Sequence, residues 1–154
     1  MDEDKKLKKT FLTISIVFFI LSLTQKCYCT TSTCSDSIMV FLLGWFAMFS
    51  GGAGISWIAN PFLLGAWIML KKNLKISMFL SMGAVLMSLS FLLFESVLDN
   101  ENNQAKEIIS YKAGYLLWVS STVVMLIGTY LLMLRYNTRK LMEKKKSATV
   151  EYLH

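Results

Sequence analysis

The sequence predicts an all-α integral membrane protein, a bundle of four transmembrane helices whose second helix is broken or kinked. Three observations carry this. Residues 38–70 run for 33 positions without a charged side chain. Apolar residues make up 55% of the 154-residue chain, only 17% are charged, and mean hydropathy is +0.50. The 16 basic residues sit in short clusters that flank apolar segments. Drawn as one helix at ~1.5 Å per residue, the uncharged run would measure ~50 Å, against a hydrocarbon core of ~30 Å. It is too long for one upright span and too short for two comfortable ones.

The first element follows a basic N-terminus, residues 1–9. Its apolar run, Thr10 to Thr24, is only 15 residues. To cross, it needs its flanks, a thinned bilayer or snorkelling lysines, and the span is taken as about 10–25. Basic residues before a short apolar run also fit a secretory signal. No A-x-A site follows, however, and Gln25-Lys26-Cys27 is not a lipobox, so the segment reads as an uncleaved span.

The second crossing lies within 38–70. Its portion 38–49 has no polar face, so it is not an ordinary amphipathic surface helix. It is either a re-entrant half-helix or the tilted outer end of the second span. The run carries its own breakers: Gly51, Gly52 and Gly54, then Asn60-Pro61. Proline disfavours helix in the residue before it, and asparagine is a good N-cap. Backbone freed by a break must be buried in protein or line a cavity. These five residues are therefore pore or kink candidates. The alternative is close packing, with glycines letting neighbouring helices approach.

The third span covers about 76–97 and the fourth about 112–134, closing a transmembrane domain of 10–134. Ser77, Ser81, Ser88 and Ser90 lie on the third, and Ser120, Ser121, Thr122 and Thr129 on the fourth. Such small hydroxyl residues suit helix–helix contacts. Glu95 falls near the outer end of the third span, where it reaches the headgroups or pairs with Lys112. A proton-coupling role is the sharper alternative.

Lysine and arginine set the orientation. Lys5, Lys6, Lys8 and Lys9, then Lys71, Lys72 and Lys75, then Arg135, Arg139, Lys140, Lys144, Lys145 and Lys146 fall on one side: thirteen of the sixteen. The positive-inside rule puts both termini in the cytoplasm, in what reads as a bacterial inner membrane. The same count requires 38–70 to cross an odd number of times, most simply once. The stretches 26–37 and 98–111 then face outward as polar connections. The tail, 135–154, carries a basic cluster suited to the anionic inner leaflet, at roughly 1 kcal/mol per residue. No aromatic or base-reading pattern accompanies it, so nucleic acid is not an expected partner.

Cys27, Cys29 and Cys34 fall in one short outer stretch, KCYCTTSTCSDS. On the oxidising side of a membrane, Cys27 or Cys29 could bridge to Cys34, leaving one thiol. A local staple, unpaired cysteines and redox chemistry all remain open. Quinone-linked four-helix thiol oxidases use a C-x-x-C pair and a second pair in another loop. Here the pattern is C-x-C plus one, and the second outer stretch has no cysteine. No histidine stands near the thiols, so no metal site is expected. No cofactor is implied, and no nucleophile stands beside a base.

The expectation is a small, self-associating, non-enzymatic membrane protein. It would act as a channel, a membrane effector or an accessory subunit, with the lipid bilayer and further copies or a membrane complex as partners. The alternatives are a thiol-redox protein and a carrier of lipid or small hydrophobic molecules.

Overall fold

A computed structural model of the chain describes residues 2–98 and 105–151. It is mostly helical. Helix α1 spans Asp2–Leu23, α2 Ser37–Ala47, α3 Ala59–Lys72, α4 Leu74–Ser90 and α5 Ala113–Glu151. Short 3-10 turns cover Met48–Ser50, Gly52–Ile58 and Phe91–Leu93. Among the described residues, three helical stretches are long and apolar enough to cross a membrane: Gly52–Lys72, Leu74–Leu93 and Ala113–Lys145. Helix α1 is not among them, because its first turns carry Glu3, Asp4, Lys5, Lys6, Lys8 and Lys9.

The all-α expectation is corrected. Strands β1 (Lys26–Thr30), β2 (Cys34–Asp36), β3 (Ser96–Leu98) and β4 (Ala105–Tyr111) form one antiparallel sheet in the order β2-β1-β4-β3. The two stretches read as polar connections pair with each other: Tyr28 lies opposite Tyr111 and Cys29 opposite Ser110. The residues justify it. Cys27, Cys29 and Thr30 are buried, and β4 carries Ile108, Ile109 and Tyr111, types that fit a pleated half-buried surface. Beneath the sheet, the Phe91 ring meets Tyr28 at 5.5 Å, Tyr111 at 5.8 Å and Tyr115 at 5.5 Å. This aromatic layer joins the sheet to the helices.

Between helices in lipid there is little hydrophobic drive, so close packing and interhelical hydrogen bonds carry the association. Ser15 Oγ donates to the Ser121 carbonyl (2.9 Å), Ser121 Oγ donates to the Ser15 carbonyl (2.8 Å), and Trp67 Nε1 donates to Ser15 Oγ (3.0 Å). One knot thus ties α1, α3 and α5. On α4 and α5, Ser81 meets Thr129 at 3.0 Å and Ser88 meets Thr122 at 3.2 Å. The two pairs are seven residues apart on each helix, which returns them to one face. Each hydroxyl has one proton, so in each pair one member donates across and the other back to its own helix. Ser77 Oγ donates to the Ala66 carbonyl (2.8 Å), closing the α3–α4 hairpin. That hairpin turns on Asn73 alone, whose side chain caps α4 through the amides of Lys75 and Ile76. Leu63, Ala66, Leu70, Ala84 and Met125 fill the space between these bonds.

The long uncharged run splits into two antiparallel arms. Helix α2 runs one way, and Gly52–Ile58 with α3 returns. Gly44 packs against the Trp57 ring and Gly54 against the Ala47 backbone. The reversal uses Gly51 (φ 78°, ψ −163°) and Gly52 (φ 58°), both in territory that favours glycine. No break occurs at Asn60-Pro61. Both residues lie in the first turn of α3, where the missing proline N–H costs no helical hydrogen bond.

Candidate functional site

A cavity of about 480 Å³ opens between α2, the 3-10 segment Gly52–Ile58, the C-terminal end of α1, the N-terminal end of α5, and the sheet. This is within the range of small-molecule sites. Its walls are mostly apolar and aromatic, with Val40, Ala53, Trp57 and Trp118 among them. On one side Met39 and Leu43 border it, and both are also exposed on the apolar outer face of α2. On the other, the β1–β2 hairpin forms the rim. Among the described lining residues, the ionised side chains are Asp36 and Lys106, both on strands. Asp36 is paired with Lys26 at 2.6 Å.

Asn60 lies in this wall, only 4% exposed. The Trp118 indole Nε1 donates to its Oδ1 at 2.9 Å. An indole nitrogen only donates, which fixes the amide with its oxygen toward Trp118. The Asn60 Nδ2 group then donates to no group among the described residues. It is not sealed off either. Among the described residues the unpaired side-chain polar atom closed to solvent is Ser37 Oγ, packed beside Gly114. Two other hydroxyls of the wall are occupied: Ser22 Oγ donates to the Phe19 carbonyl at 2.6 Å, and Ser56 Oγ pairs with Ser90 Oγ at 3.0 Å.

The remaining candidates fall as follows. Gly51 and Gly54 border the cavity, Gly52 forms the reversal, and Pro61 is exposed on α3. Cys29 and Cys34 form a disulfide across the β1–β2 pair, and Cys27 is free and buried. Burial pushes the Cys27 thiol up to about 11; the adjacent Ser37 hydroxyl offsets part of that rise, although no hydrogen bond of ordinary geometry reaches its oxygen. Glu95 and Lys112 are not brought together. Glu95 lies in the bend before β3, where its carbonyl accepts from the Ile108 amide, and no ion pair joins it to Lys112 among the described residues. Arg139 makes a two-pronged ion pair with Asp4 of α1, and Arg135 reaches Glu3 and Asp4 at 3.8 and 3.7 Å. Lys140, Lys144 and Lys145 follow along the exposed end of α5; the Lys146 side chain lies outside the described residues. No group of three or more metal-ligating side chains occurs among the described residues.

Sequence reasoning named Asn60 as a helix breaker and missed its neighbours. Val40 and Trp57 carry no isolated signal within an apolar run. Trp118 lies among apolar residues of the fourth span, yet an indole needs an acceptor, and Asn60 is the one amide side chain in the uncharged run. That pairing was the available clue.

No family model matches the chain, and no curated protein or solved structure resembles it at a significant level.

Proposed function

We propose that this chain is a four-span, non-catalytic membrane protein that holds a small hydrophobic molecule in the cavity beneath its outer sheet. The cavity itself carries the reading: apolar, aromatic-walled, of ligand size, and continuous with the exposed apolar face of α2. The fourth span is α1. Its antiparallel run beside α5 supports this, with Asp4 beside Arg139, Phe11 beside Gly128 and Ser15 beside Ser121. The charged start of α1 then lies at the basic end of α5, and both termini face the cytoplasm under the positive-inside rule. The same rule sets the sheet and cavity on the outer side of a bacterial inner membrane.

The pore reading is less favoured, because the space between α1, α3, α4 and α5 is closed by side chains and hydroxyl pairs. Redox turnover is less favoured as well. The one free thiol is buried and holds its proton.

The test is purification in mild detergent followed by solvent extraction and mass spectrometry. The expected result is about one apolar molecule per chain, lost in a Val40→Trp variant that fills the cavity yet melts at a similar temperature. Equal retention by the variant would end the reading. Liposome flux provides the contrast. Flux abolished by Gly52→Leu with Asn60→Leu would favour a pore instead.

A further inference from the structure

We infer that the molecule held in this cavity is neutral and bears a hydrogen-bond-accepting oxygen of the carbonyl type, which the Asn60 Nδ2 group reads. The inference rests on the proposed binding function and specifies its ligand. Two independent observations meet at one place. The first is the cavity, with its apolar walls and about 480 Å³ of space. The second is an amide side chain, 96% buried by its 4% exposure, whose oxygen is taken by Trp118 and whose nitrogen has no acceptor. The nitrogen is open rather than sealed and has no protein acceptor, so it can bond an acceptor that a ligand delivers, a gain of about one net hydrogen bond.

The charge of the ligand follows from the walls. Asp36 and Lys106 are on strands, and Asp36 already has its partner in Lys26. Near Asn60 the cavity borders Ser56, Trp57, Tyr115 and Trp118, none of them ionised. A charged ligand group there would be desolvated without a counterion, which is strongly unfavourable. An ammonium group would add a second fault, because Nδ2 can only donate. A pure hydrocarbon would fill the volume but leave Nδ2 unpaired. An apolar body with one carbonyl satisfies both. The acyl ester of an outer-leaflet lipid and a free small apolar ketone or ester share this chemistry. Met39 and Leu43, at once on the cavity wall and on the exposed face of α2, give either a route from the bilayer.

The experiment uses the full chain in detergent and three probes of matched length: 2-dodecanone, n-tridecane and dodecylammonium. Binding is followed by tryptophan fluorescence, two of the four indoles, Trp57 and Trp118, lining the cavity, at equal mole fraction of probe in the micelle so that partitioning cancels. The wild-type protein is expected to prefer the ketone over the alkane by about 2- to 10-fold, the range of one net hydrogen bond. The ammonium probe should bind weakest. Asn60→Leu should abolish the preference for the ketone while binding of the alkane persists. Should Asn60→Leu fail to fold, isotope-edited infrared spectroscopy of carbonyl-labelled ketone on the wild type serves alone. A stretching band lowered relative to the micelle supports the assignment, and an unshifted band overturns it. Equal binding of ketone and alkane overturns the acceptor but leaves hydrophobic binding standing. No binding of either probe overturns both. An ester lipid recovered from the purified protein assigns the lipid source, and an empty protein that takes the ketone assigns the free compound.

Discussion

At the residue scale, Cys27 illustrates how burial decides a chemistry that spacing leaves open. The thiol holds its proton up to about 11 because the folded protein desolvates the thiolate. At pH 8 only about one molecule in a thousand would carry the thiolate, against roughly one in ten for an ordinary thiol near 9.0. Alkylation of the native protein should therefore be slow and rise about tenfold per pH unit. Fast labelling at pH 8 would contradict this burial. Stability has a matching sign. The unfolded chain loses the proton near 9.0 and the folded chain near 11, so the contribution is full below pH 9 and falls between pH 9 and 11. Subtracting the profile of Cys27→Ala should isolate that fall. Hydroxyl contacts make a second residue-level case. A double-mutant cycle of Ser81→Ala and Thr129→Ala should give a coupling near 0.6 kcal/mol, typical of hydrogen bonds between membrane helices. The sequence hinted at these contacts through hydroxyls clustered on two spans. It could not say which hydroxyl meets which, since that depends on helix rotation.

At the element scale, the reversal at Gly51 and Gly52 yields a graded prediction. Gly51 lies at φ 78° and ψ −163°, a region essentially closed to side chains, whereas Gly52 at φ 58° has a left-handed backbone that alanine tolerates at some cost. Gly51→Ala should cost about 1–3 kcal/mol, and more than Gly52→Ala at about 1–2 kcal/mol. Unfolding in mixed micelles would rank them. Open space surrounds both positions, so crowding does not confuse the comparison. The glycines were legible as breakers because the uncharged run exceeded a single span. That they fold α2 back beside the returning arm was not legible, because tertiary contacts at Gly44 and Gly54 fix it. The sheet escaped sequence reading for a related reason. Strands of three to seven residues, cut by polar side chains, look like loops until the distant pairing of β1 with β4, such as Thr30 opposite Ile108, joins the two local hairpins.

At the scale of the whole molecule, the Cys29–Cys34 bridge fastens the rim of the cavity. Replacing both cysteines by serine should cost about 2 kcal/mol by loop entropy. Ligand retention should fall while the helical signal stays unchanged; equal retention would mean the rim plays no part in holding the ligand. The general plan of apolar spans with basic flanks was readable from composition, because lipid imposes it on any chain. The cavity was not readable, since it exists only where α2, the sheet and two helix ends converge. The pairing of β1 with β4, and of α1 with α5, also has a consequence in time. Strand β1 and helix α1 are thus joined to β4 and α5, which are synthesised much later. Until α5 emerges, α1 has only a short apolar run and no knot at Ser15. A ribosome stalled before residue 113 should leave an N-terminal fragment that membrane proteases clear quickly, whereas one stalled after residue 139 should yield a protected core.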